Sequence, residues 1–168
     1  MSNVKWHSGW RVGLIAYAPL ILWIGVIFFL SSNNGSMAET SRFIGPLLHF
    51  LFPNAPDETI QIYHGYIRKC AHFTEYAVLA FFALRAFSRS YVQGVLKLRY
   101  TLPVLLVAVV ACLDEFNQSF EASRTSSPWD VSLDISGGAV MILAMLILKR
   151  PRLTAPSDAG RWIDPDQS

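Results

Sequence analysis

The sequence predicts an all-α, polytopic membrane protein: a bundle of four transmembrane helices with an interfacial segment between the first and second. Three observations lead there. Of the 168 residues, 52% are hydrophobic and 15% are charged, where a soluble domain carries roughly 25% charge. Positions 12–30 contain no charged residue. Three later stretches, 69–87, 101–120 and 130–148, are each apolar in one half and polar in the other. This balance excludes a disordered tail, a collagen-like repeat and a disulfide-stapled miniprotein. A net charge of +2 is too slight for nucleic-acid binding, which needs a dense basic face.

The first span, 12–30, has the length required, since about 20 apolar residues rising 1.5 Å each cross a hydrocarbon core of about 30 Å. Lys5 and Arg11 before it and Ser36-Met37-Ala38 after it imitate a secretory signal. Its apolar run is longer than the about 7–15 residues of such signals, so it reads as a retained helix. The connection that follows opens on the turn-prone Ser31-Ser32-Asn33-Asn34-Gly35. Within it, 43–52 is apolar but short and is interrupted by Gly45, Pro46 and His49. That suits an interfacial or re-entrant segment covering the outer mouth. Pro56-Asp57-Glu58 then reads as a helix start running through Tyr63 and Tyr66 into the second span.

The polar half comes first in span two (Lys69, His72, Glu75), last in span three (Asp114, Glu115, Gln118) and first in span four (Asp130, Asp134). Four helices running up and down place all three polar halves on one side of the membrane. Lysine and arginine set the orientation, because cytoplasmic segments retain them. Lys5, Arg11, Arg85, Arg89, Lys97, Arg99, Lys149, Arg150, Arg152 and Arg161 fall on one side, leaving Arg42, Arg68, Lys69 and Arg124 on the other. The expected arrangement is therefore a cytoplasmic N-terminus at 1–10, a transmembrane domain at 11–148 and a loose cytoplasmic tail at 149–168. The polar cluster then faces outward, toward the periplasm or cell exterior. Cys70 and Cys112 lie in or beside apolar segments and read as packed thiols.

On a helix, residues three and four apart share a face. Lys69, His72, Glu75 and Tyr76 thus line one side of span two, Asp114 groups with Gln118, and Asp130 and Asp134 align with Gly137 and Gly138. Those glycines admit a close helix neighbour. A charged side chain at mid-membrane costs about 2.5–3.5 kcal/mol, so half a dozen facing lipid would cost on the order of 15–20. A shared, partly hydrated pocket satisfies all three helices. Taken singly, each residue also has a structural reading: His72 as a packed histidine, Asp114 and Glu115 as a solvated helix end, Arg124 as a loop charge, Trp129 as an interfacial anchor. Convergence is what favours a site. The spacing calls for no cofactor: zinc would want two or three His or Cys at helical spacing, carboxylates with one histidine demand no other ion, and no GxSxG marks a serine nucleophile.

The motifs Arg68-Lys69-Cys70-Ala71-His72-Phe73-Thr74-Glu75-Tyr76 and Asp114-Glu115-Phe116-Asn117-Gln118, followed by Arg124 and Asp130-Val131-Ser132-Leu133-Asp134-Ile135-Ser136-Gly137, resemble those of VanZ-like membrane proteins. The Phe29-Leu30-Ser31-Ser32 ending of span one is also similar. The resemblance covers about residues 10–148. Asp134 stands where that family often has Asn, and Ala122-Ser123 replaces its usual Pro-Gly. The resemblance implies a bacterial inner-membrane protein related to one conferring resistance to the glycopeptide teicoplanin, and supplies no reaction.

Two functional readings stay open. In one, the pocket takes a membrane lipid or lipid-linked envelope precursor whose phosphate or hydroxyls meet Lys69 and Arg124. His72 with Glu75, or Glu115 with Asp114, then act as general acid and base, while Tyr76, Gln118, Asp130 and Asp134 bind substrate. In the other, the same residues only bind or mask an envelope lipid or an amphiphilic antibiotic, with the outer segment as a lid. Ion-coupled transport ranks last, because the inner halves of the spans offer no polar path. Oligomeric state is not legible.

Overall fold

The computed structural model describes residues 6–32, 37–90, 92–119 and 127–148. Those residues form six helices: α1 (Trp6–Ser31), α2 (Met37–Leu51), α3 (Asp57–Phe87), the single-turn α4 (Gln93–Lys97), α5 (Thr101–Gln118) and α6 (Pro128–Leu148). Among the described residues there is no strand. Gly13–Ser31 of α1, all of α5 and all of α6 are long and apolar enough to cross a membrane. Their outer surfaces expose Leu14, Ile21, Leu22, Leu105, Leu143 and Ile147, side chains that lipid solvates and water does not. The chain is a membrane protein.

Three of the four expected spans meet that measure among the described residues. The helix that differs is α3, which carries Arg68, Lys69, Glu75 and Arg85. Its 31 residues extend about 46 Å, well beyond a hydrocarbon core of about 30 Å. Its apolar residues also face protein rather than lipid: Tyr76, Leu79, Ala80, Ala83, Leu84 and Ala86 are buried. The α3 helix touches α1, α2, α5 and α6, and α6 is its most extensive neighbour. Leu20 and Ile27 from α1, Val107, Val110 and Ala111 from α5, and Ile142 from α6 close the core around it.

Backbone accounting explains how α1 is seated. Pro19 lies inside the helix and has no N–H, so the carbonyl four residues earlier, that of Ile15, loses its intrahelical donor. Arg85 Nη1 of α3 donates to that Ile15 oxygen at 3.4 Å. One end of α1 is thus tied to α3 by a bond that a proline made available. Further along, Trp23 Nε1 donates to the Glu75 carbonyl at 2.9 Å. The rings of Tyr17 and Phe87 meet edge-on, with centroids 6.1 Å apart.

The segment expected at 43–52 is the second half of α2, whose 15 residues reach only about 22 Å and do not cross the core. The helix folds back along the part of α3 that precedes residue 69. Phe52 and Tyr63 rings sit 5.2 Å apart, His49 Nε2 lies 3.6 Å from Asp57 Oδ1, and Thr40 Oγ1 shares a 3.2 Å hydrogen bond with His64 Nε2. Burial and the neighbouring Arg68 charge hold the His64 pKa below its ordinary 6.5. The opposite face of α2 exposes Phe43, Leu47, Phe50 and Leu51. Cys70 and Cys112 are free and exposed, not packed, because each lies on the side of its helix turned away from the core.

Candidate functional site

Two glycines set the distances on which the site depends. A methyl group at Gly137 would overlap the backbone oxygen of Phe73, and one at Gly138 would stand 2.8 Å from Cγ1 of Val107. Without side chains at these positions α6 lies directly against α3 and α5. Asp134 is one turn before this double contact, His72 adjoins Phe73, and Asp114 is two turns beyond Val107. Close approach of three backbones therefore carries those three side chains to one point.

His72 Nδ1 stands 3.7 Å from Asp134 Oδ1. One donor atom from each of His72, Asp114 and Asp134 lies within 4.8 Å of the other two. Asp114 is 1% exposed, Asp134 2% and Tyr76 0%. The Oδ1 atoms of both aspartates and the Tyr76 hydroxyl are buried with no hydrogen-bond partner among the described residues. The other oxygen of Asp114 is held: Gln118 Nε2 donates to Asp114 Oδ2 at 3.0 Å and also lies 3.1 Å from Ser31 Oγ at the end of α1. Four helices thus meet at the polar end of the bundle.

The remaining expected residues lie around this centre. Lys69 Nζ pairs with Asp130 Oδ1 at 3.3 Å, and both are at least one-third exposed. Glu75 is half-buried on α3, and with Glu115 and Asp130 it lies close enough to act electrostatically on Asp134. Glu115 is turned differently from Asp114. It accepts a hydrogen bond from the backbone N–H of Ser127 and lines an open groove of about 450 Å³ with Cys112, Phe116, Ser119, Ser127, Pro128 and Val131. Arg124 lies outside the described residues. Sequence reasoning did not select Ser31 as a site residue, although this buried serine lies in the Phe29-Leu30-Ser31-Ser32 stretch that resembles the VanZ-like family.

A half-buried imidazole, two carboxyl groups with unfilled hydrogen-bond capacity and a phenol can exchange protons with a bound group or hold a positive charge. A family model described as VanZ/LLP1 matches residues 16–149. No curated protein and no solved structure matches the chain. The matched stretch begins in α1, ends just past α6 and contains every residue of the polar centre, so the chain is a member of the VanZ/LLP1 family.

Proposed function

We propose that this protein binds the polar head of a membrane lipid or lipid-linked envelope glycan in an outward-facing pocket, and modifies it there. The observation that carries the reading is the pair of nearly inaccessible carboxylates, Asp114 and Asp134, each with an oxygen that no described residue satisfies. A buried oxygen left without a hydrogen bond costs on the order of a few kcal/mol, whereas an apolar core of the same volume carries no such cost. A ligand group that arrives in the pocket accounts for the arrangement. The Lys69–Asp130 pair stands at its mouth, and Arg124 adds positive charge for a phosphate. His72, with Glu75 one turn along α3, is the proton-handling side of the pocket.

In this reading α3 crosses the membrane as the fourth span despite its charges: Glu75 is half-buried, Lys69 is paired with Asp130, and Arg85 bonds the Ile15 carbonyl of α1. Residues 11–148 form the membrane domain of a bacterial inner-membrane protein, with 1–10 and 149–168 on the cytoplasmic side. Altered headgroups at the outer surface would reduce access of an amphiphilic glycopeptide such as teicoplanin, the property the family resemblance brings to the proposal.

The test is mass spectrometry of total lipids and lipid-linked precursors from cells making wild type, Asp114→Asn or His72→Ala at matched membrane levels. The expected result is a species gained or lost with wild type alone. Identical extracts in all strains would remove the enzymatic reading and leave the second one, non-catalytic binding or masking. That alternative is favoured by the exposed Phe43 and Phe50 on α2, a lid-like apolar face, and it requires a phenotype proportional to the amount of protein.

A further inference from the structure

We infer that His72, Asp114 and Asp134 together bind one divalent cation of the zinc or manganese class, coordinated between α3, α5 and α6. The three side chains offer one nitrogen and two oxygen atoms, all within 4.8 Å of one another. Ligands of a tetrahedral ion at about 2.0–2.2 Å stand about 3.4 Å apart. The His72–Asp134 separation of 3.7 Å is near that spacing and too long for an ordinary hydrogen bond. Two ligands facing a common centre explain it better than a pair bonded to each other.

Two further observations separate this group from an incidental acidic cluster. Asp114 Oδ1 and Asp134 Oδ1 are buried and have no hydrogen bond of ordinary geometry among the described residues. A divalent ion satisfies both oxygens at once and neutralises two carboxylates in a low-dielectric site. The outer support that metal ligands require is present as well. Gln118 bridges Asp114 Oδ2 and Ser31 Oγ, which fixes the Asp114 carboxylate with its second oxygen free to coordinate. Imidazole suits zinc and carboxylates suit manganese, so a set of one nitrogen and two oxygens admits either ion, whereas magnesium and calcium are held by oxygen ligands. Linear spacing concealed the set because each ligand comes from a different helix.

The inference concerns the pocket of the proposed function but does not depend on catalysis there, since a cation serves a binding pocket equally. Where the pocket is catalytic, His72 becomes a ligand and proton transfer passes to Glu75.

The experiment is elemental analysis of the full chain purified in detergent from cells supplied with zinc and manganese, for wild type, Asp114→Asn and Asp134→Asn. About one ion per wild-type chain is expected, with at least a tenfold loss in both variants. In parallel, wild type stripped with a chelator is titrated with ZnCl2 or MnCl2, and its Tm should rise by about 5 °C or more with one of them. Wild type without stoichiometric metal and without a Tm response to either ion overturns the inference. So does full metal retention in both variants, which would put the ion elsewhere. If neither variant is recovered folded, the wild type decides alone: reversible loss and recovery upholds the site, and no response overturns it. Neither readout involves extracted lipids, so this site and the proposed reaction can fail separately.

Discussion

At the scale of single residues, much of the architecture depends on which backbone groups lack partners. The Ile15 carbonyl is without its intrahelical donor because Pro19 has no N–H, and Arg85 takes the vacancy. A double-mutant cycle measures this directly. Arg85→Met should destabilise by about 0.5–1 kcal/mol in the wild-type background. In a Pro19→Ala background, where the restored N–H can bond Ile15, the cost should largely disappear. Equal costs in both backgrounds, read from thermal denaturation in detergent, would show that Arg85 does not serve that carbonyl. The site residues were legible in part for a similar reason: His72, Asp114, Gln118 and Asp134 are polar groups in apolar stretches, and such groups need partners. Glu115 illustrates where that logic stops. Adjacent helical positions point about 100° apart, so Asp114 turns into the bundle and Glu115 toward the start of α6.

At the scale of elements, periodicity and punctuation located the segments but not their lengths. Span one, the short amphipathic segment and the last two spans correspond to α1, α2, α5 and α6, with ends shifted by a few residues. Residues 69–87, expected as the second span, are the latter part of the longer helix α3. Its beginning, residues 57–68, carries no break in helical pattern that would separate it from 69–87, and it packs against α2. That pairing should weaken at low pH. The His64 pKa is lowered in the folded protein from 6.5, so below that value the undocked state binds more protons. Docking of α2 is therefore fully supported above about pH 6.5 and weakens as pH falls below it. Hydrogen exchange of α2 amides, corrected for intrinsic rate, should show protection falling between pH 7.5 and 5.5 in wild type and not in His64→Gln. An equal decline in both would assign the titration to another group.

At the scale of the whole molecule, α3 is the hub and also the least lipid-compatible of the long helices. The proposed topology makes a definite claim about its two ends. In a Cys70→Ser, Cys112→Ser background, Asn54→Cys should react with a membrane-impermeant maleimide on intact cells. Gln93→Cys should react only after permeabilisation. Labelling of both from the same side would mean that α3 does not cross. The fold class was readable from composition because lipid exposure demands apolar surface. The helix count was less so, because a helix surrounded by protein is released from that demand. The position of α3 also has a consequence for biogenesis. Its most extensive neighbour, α6, is the last of the described helices to leave the ribosome. Until α6 arrives, Lys69 lacks Asp130, His72 lacks Asp134, and the Phe73 backbone lacks its glycine contact. A nascent chain arrested before residue 128 would present those polar groups to the lipid or the insertion machinery, at the cost that uncompensated polar groups carry in hydrocarbon.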